Sequence, residues 1–286
     1  MNTDTIIRLL TIATLSGLLF CSGLRLTWAE ITDALRKNHL IWILPVNFVL
    51  VPALVFFIAK GFQLSADMAV GMAILAAAPF APVVPTFARL AKGDLALASV
   101  LTGLFPILSA FITPLVCEVS LRPWLQTGSL QFNVLSILVL LVSTITLPLA
   151  IGVAGRHWAP KAAHWLLKPI EVLSEATGTI ALIYVVAVDF QSICSIGWKA
   201  FAAIVLTSEL SFLAGYITGG PAKAARFVVG VGTANRNIAL ALLVAIQSFP
   251  GPSVRAAVVA NGLLLILLGL IHVGLWRLLA PDKNKA

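Results

Sequence analysis

Apolar runs of about 20 residues recur along this chain, and the connections between them are too short to hold a soluble domain. A run of that length crosses a hydrocarbon core as one helix, because the segment must satisfy its own backbone away from water. Charged side chains make up 10% of the 286 residues, against about 25% in an ordinary soluble domain. The pattern predicts an all-α polytopic membrane protein, nine spans forming one domain over 1–286. The spans lie at about Ile6–Gly23, Leu40–Ile58, Ala66–Leu90, Leu95–Val116, Phe132–Val153, Val172–Val188, Trp198–Ile217, Arg226–Gln247 and Ala256–Leu278. A signal peptide is the competing reading of the first span, since Arg8 precedes the apolar run and Thr27-Trp28-Ala29 would end it. Asp4 in the would-be basic region argues against it.

The formal charge of +8 would suggest nucleic acid if it were concentrated, but it is scattered over short connections. With nine spans and a cytoplasmic C-terminus, thirteen of the 19 basic residues fall on the cytoplasmic side. Five (Arg8, Lys60, Arg122, Lys199, Arg255) fall outside, and Arg236 falls within a span. That asymmetry is the positive-inside rule. The expectation is a multi-pass protein of a cell's inner (plasma) membrane, N-terminus outside, with the lipid bilayer and no nucleic acid as partner. The tryptophans fall near span ends, as interfacial anchors do. Cys21, Cys117 and Cys194 are far apart and read as packing residues. No GxSxG, HExxH, P-loop or CxxC motif occurs, so neither an enzyme nor a cofactor or metal site is expected.

Two spans are interrupted. The third carries Pro79, Pro82 and Pro85, which remove backbone donors and break a helix. The eighth is apolar at both ends and holds Gly230, Gly232, Thr233, Asn235, Arg236 and Asn237 between them. Gly230 and Gly232 are expected to open its break. Five spans apart, the two segments run in opposite directions. Paired interrupted segments in inverted halves point to a transporter's midplane site. The halves would be about 5–118 and about 168–280, with a connector span at about 131–154.

A charge at that depth is costly and functional by default. Arg236 has three readings. It binds an anionic substrate through its planar fork, it stands in for a metal cation, or it pairs with a carboxylate. Glu209, midway along the seventh span, is the partner in the last case, or a proton-coupling site. Asn47, Thr102, Thr233, Asn235 and Asn237 would line a substrate cavity or make interhelical hydrogen bonds. Asp189, Glu171 and Glu175 are expected to be interfacial and solvated, and His272 to lie on a lipid or helix contact.

Three stretches carry a resemblance: Pro79-Phe-Ala-Pro-Val-Val-Pro85, Leu90-Ala-Lys-Gly-Asp94 with Thr102 and Thr113-Pro114 beyond it, and Gly232-Thr-Ala-Asn-Arg-Asn-Ile-Ala239. Through them the chain resembles the bile acid:sodium symporter (BASS) family over nearly its whole length. The resemblance implies a core domain with two crossing helices, and a panel domain that moves against it. It also implies departures. Where sodium-coupled members place a Ser-Asn pair in the first crossover, this chain has Val84 and Pro85. Where they place a Ser and a Thr on the next span, it has Ala98 and Thr102. A Glu opening the second crossover is Gly230, a crossover Gln is Ala234, and a Gln on an earlier span is Asn47. A hard cation wants oxygen ligands, and the one carboxylate is gone, so sodium coupling at the usual sites is not expected. The last span reads Leu268-Gly269-Leu270 where bile-acid contacts would be, which argues against a bile acid substrate. The expectation is a secondary active transporter moving a small organic anion by alternating access. The alternatives are a non-transporting membrane ligand sensor, and a sodium-coupled symporter with rearranged ion sites.

Overall fold

The computed structural model describes residues 2–25, 40–125 and 132–279. The charged connection through Asn38, with Trp28, Arg36 and Lys37, lies outside them, as do His39, Lys283 and Lys285. Among the described residues every element is helical. In chain order these are α1 (Thr3–Arg25), α2 (Leu40–Pro45, Val46–Leu50 and Val51–Gly61 in succession), α3 (Ala66–Ala76), α4 (Val84–Leu90) and α5 (Leu95–Leu121). They continue with α6 (Val134–Leu141, Val142–Thr146 and Leu147–Trp158 in succession), α7 (Pro160–Val188) and α8 (Phe190–Cys194). The last four are α9 (Trp198–Thr218), α10 (Lys223–Ala234), α11 (Ile238–Ser248) and α12 (Pro252–Leu279).

Eight of the described helical stretches are long and apolar enough to cross a membrane, α10 and α11 together counting as one. The third predicted span, Ala66–Leu90, is interrupted as its prolines predict: it forms two short helices, α3 and α4, with residues 77–83 between them. The outer surface is that of a protein solvated by lipid. Trp42, Phe57, Val119 and Leu135 stand exposed, Phe57 to 69%, which in water would be a large adhesive patch. Of the cysteines, Cys21 and Cys117 are buried but Cys194 is exposed.

Helix α1 packs along both α6 and α7, while α9 lies along α10 and α3 along α12. Small residues set the first of these contacts, because close backbone approach replaces the missing hydrophobic drive between helices in lipid. Gly23 and Gly152 face each other across α1 and α6. A Cβ on Gly23 would sit 2.2 Å from the Leu149 carbonyl oxygen, and one on Gly152 2.3 Å from that of Phe20.

Helices α2 and α6 each carry one wide π-helical turn just ahead of a proline. In α2 the Val51 N–H reaches back five residues to the Val46 oxygen. In that register the next donor would serve the Asn47 carbonyl, but residue 52 is Pro and has none to give. Side chains cap the starts of four helices. Ser65 accepts from Met68 N–H, Asp94 from Leu97, Asn133 from Ser136 and Asn237 from Leu240.

Candidate functional site: two helix breaks meeting around Arg236

The breaks after α3 and after α10 lie against each other. The Asn237 N–H donates to the Ala78 carbonyl at 2.8 Å, and the Ala81 N–H donates to the Asn235 carbonyl at 3.1 Å. Each interruption thereby fills the other's vacant backbone positions, which is how non-helical chain is tolerated inside a membrane protein. Three successive carbonyls at the end of α3 take donors from three different places. Ala76 accepts from Arg236 Nη1, Ala77 from Thr113 Oγ1 at 2.6 Å, and Ala78 from Asn237 N–H.

The proline break falls where the sequence placed it: Pro79 and Pro82 lie between the helices, and Pro85 sits in the first turn of α4, where a missing N–H costs nothing. The second break does not open at Gly230 and Gly232. Both lie inside α10, and the chain leaves the helix only at Asn235–Asn237. Asparagine is suited to that exit. Asn235 and Asn237 take extended backbone, and Asn237 then caps α11. The glycines serve contact instead. A Cβ on Gly232 would sit 2.2 Å from the Phe80 ring, and one on Gly230 3.0 Å from the Phe212 carbonyl oxygen. Phe80 itself has a left-handed backbone (φ 57°) and stacks on Phe105 at 4.2 Å.

Arg236 is 4% exposed. Its Nη1 donates to the Ala76 oxygen at 3.2 Å and to the Asn47 oxygen at 3.4 Å. The first is the C-terminal end of a helix, where a cation is favoured, and the second is the carbonyl that Pro52 leaves without a donor. Nε and Nη2 have no hydrogen-bond partner, and no described carboxylate pairs with the guanidinium. Around it, Asn47 Nδ2 donates to the Ile43 carbonyl at 2.9 Å and to Thr233 Oγ1 at 3.2 Å. Asn47 Oδ1, Asn235 Oδ1 and Asn237 Nδ2 are buried without a partner.

Glu209 is paired elsewhere. Its carboxylate lies 3.1 Å from His272 Nε2, and its side chain is 49% exposed. His272 stacks flat on Phe212 at 4.2 Å. The ion pair between Glu209 and Arg236 that the sequence left open is therefore not formed.

The structure divides the sequence-predicted site in two. Asn47, Thr233, Asn235, Arg236 and Asn237 are sealed at the crossing. Thr102, Pro82 and Pro85 line a separate cavity of about 1220 Å³, between α1 and α7 on one side and α4 and α5 on the other. Ile43, one turn from Asn47, also borders it. Its mouth carries Arg25, Arg89, Lys168, Glu171 and Glu175. Glu171, expected to be merely solvated, pairs with Arg25 and lies 3.5 Å from Lys168. Asp189 also departs from expectation: it is not solvated, and it forms a buried ion pair with Arg255.

A family model described as the sodium bile acid symporter family matches residues 12–197. The uncharacterized sodium-dependent transporter YocS of Bacillus subtilis is 26% identical over 204 residues, 70% of this chain and 61% of that protein. The probable chloroplastic sodium/metabolite cotransporter BASS1 of Arabidopsis thaliana is 21% identical over 279 residues, 96% of this chain and 68% of that protein. A mouse sodium-dependent organic anion transporter is 27% identical over 173 residues, 60% of this chain and 44% of that protein. The chain thus spans less than two thirds of the length of the Bacillus and mouse proteins it matches. With more than half of its length under one family model, and that length folded into apolar helices, the chain belongs to the sodium bile acid symporter family.

Proposed function

We propose that the chain is a secondary transporter that moves a small organic anion by alternating access. In this reading Arg236 is a fixed positive charge where sodium-coupled relatives hold a metal cation. The observation that carries it is the position of Arg236: buried where the two breaks meet, bonded only to carbonyl oxygens, with two nitrogens unpartnered. Backbone carbonyls at a helix end are what a metal cation would also take. The anion would enter the cavity past Arg25, Arg89 and Lys168 and settle against Thr102 and the break between α3 and α4. At roughly 10 Å and an effective dielectric of about 20, one fixed charge is worth about 1.7 kcal/mol to a carboxylate, enough to matter for affinity.

The side chains around the crossing support sodium independence. Val84, Ala98 and Ala234 are buried and bring no oxygen. Position 230 has no room for a carboxylate, because Phe212 fills the space. Thr102 Oγ1 and Asn47 Oδ1 are the unpartnered oxygens left at these positions, too few to replace a hydration shell. Helix α1 packs more extensively along α6 and α7 than on the helices around the crossing, which supports two bodies that rock about the cavity.

The test is flux of labelled small carboxylates into proteoliposomes under imposed gradients. We expect uptake that is indifferent to sodium and reduced by Arg236→Ala. Flux that requires sodium and ignores Arg236→Ala overturns the proposal, and saturable binding without counterflow would assign a sensor instead. A second reading concerns energy coupling. The half-exposed Glu209 lies 3.1 Å from the buried His272, and His272 lies one turn from Gly269, against which Asn235 packs. If it couples, Glu209→Gln abolishes uptake driven by a proton gradient while leaving exchange intact.

A further inference from the structure

The helices α1 and α7 that part from α4 and α5 at the cavity are tied to α12 at the opposite end of the bundle. The tie is a cluster of three charges. Arg255 lies in the first turn of α12, Asp189 ends α7, and Asp4 lies in the first turn of α1. Arg255 Nε donates to Asp189 Oδ2 at 2.6 Å and Nη2 to Asp189 Oδ1 at 2.7 Å, a two-pronged grip. Its Nη1 donates to Asp4. The side chains of Arg255 and Asp189 are 5% and 1% exposed. This is the most completely paired charge cluster among the described residues, and neither the crossing nor the cavity uses it.

A buried ion pair contributes little net stability, because desolvation offsets the attraction, yet removing one partner leaves an uncompensated charge in a dry place. Such a cluster has two comfortable states. The charges are paired while the helix ends are packed, or separately hydrated once the ends part. Water is at hand for the second state. A pocket of about 340 Å³ lined by Asp67, Lys199, Ser192 and Ser253 opens close by in the chain, Ser192 and Ser253 being near sequence neighbours of Asp189 and Arg255. We propose that Arg255, Asp189 and Asp4 latch the bundle shut at the end away from the cavity, and that the latch breaks each time the transporter opens on that side. The inference rests on the alternating-access reading above. Its test reads side-chain accessibility without any substrate, so failed transport and a failed latch are distinguishable.

The assay uses the full chain in a Cys21→Ser, Cys194→Ser background, Cys117 being wholly buried. Reporter cysteines are placed singly at Ser99, which lines the cavity, and at Thr11, buried two turns along α1 from Asp4. A membrane-impermeant maleimide is applied from each side. With the latch intact, Ser99→Cys reacts and Thr11→Cys does not. We expect Arg255→Gln to raise the Thr11→Cys rate from the latch side by roughly tenfold and to slow Ser99→Cys, as a shift between two states requires. The exchanged pair Asp189→Arg with Arg255→Asp should restore the original pattern. Unchanged rates in Arg255→Gln overturn the latch. So does reaction of Thr11→Cys from both sides, which would mark a merely structural tie. Asp4→Asn keeps the Arg255–Asp189 grip and serves if Arg255→Gln fails to insert; it should give a smaller shift of the same sign, and no shift overturns the proposal.

Discussion

Arg236 satisfies two carbonyls that no other group reaches, and its removal is costly twice. The oxygens of Ala76 and Asn47 would be left buried without a donor, at about 1–3 kcal/mol each. A charge that the surrounding helix ends expect would also vanish. Both bonds come from one nitrogen, Nη1, so the rest of the guanidinium adds charge and planar bulk rather than further hydrogen bonds. If Arg236 does the work of a metal ion, the truncated site should accept one. We predict that sodium chloride raises the melting temperature of Arg236→Ala relative to choline chloride, and does nothing to the unmodified chain. A thermal-shift series in detergent decides it by mass action; equal response of both chains would argue against ion replacement. The special status of this arginine was legible in the sequence, since a charge in an apolar run has few explanations. Its partners were not. They are backbone carbonyls of α2 and α3, and a carbonyl leaves no mark on residue identity.

At the scale of the element, the two breaks were legible for different reasons. Proline forbids a helix chemically, so Pro79 and Pro82 located the first break to within a turn. Glycine merely permits a break, and Gly230 and Gly232 were misread for that reason: they stay helical so that α10 can approach Phe212 and Phe80. The consequence is testable. Gly232→Ala pushes a methyl into the Phe80 ring, which already stacks on Phe105 and has little freedom to yield. Overpacking of this kind costs about 1–3 kcal/mol. We predict a lower melting temperature for Gly232→Ala, recovered when Phe80→Leu is added, and a double-mutant cycle measures the coupling. Additive losses would mean that the ring and the glycine do not set the crossing.

For the whole molecule, spacing and hydropathy revealed the helices, but not which ends are tied. Asp189 read as a solvated charge and Arg255 as one more outer basic residue because their partnership spans 66 residues, and that of Arg255 with Asp4 spans 251. Only tertiary packing brings them together. The cavity end gathers Arg25, Arg89, Lys168 and Arg156, the last donating to the Leu24 carbonyl at 2.9 Å. From the positive-inside rule we infer that this end faces the cytoplasm and the Arg255 cluster faces out. We predict that a reporter active only outside the cytoplasm works when fused before Asn2, and that one active only inside works after Leu279. The reverse result would turn the cavity outward.

The two backbone hydrogen bonds between Ala78–Ala81 and Asn235–Asn237 join parts of the chain made far apart in time. As the polypeptide leaves the ribosome, the stretch around Pro79 must enter the bilayer long before its complement has been translated. Until then its open carbonyls need a stand-in, either water or another membrane component, since lipid offers none. Assembly of this protein can therefore finish only with its last third, and a chain stopped short of Asn237 carries its deepest polar backbone unprotected.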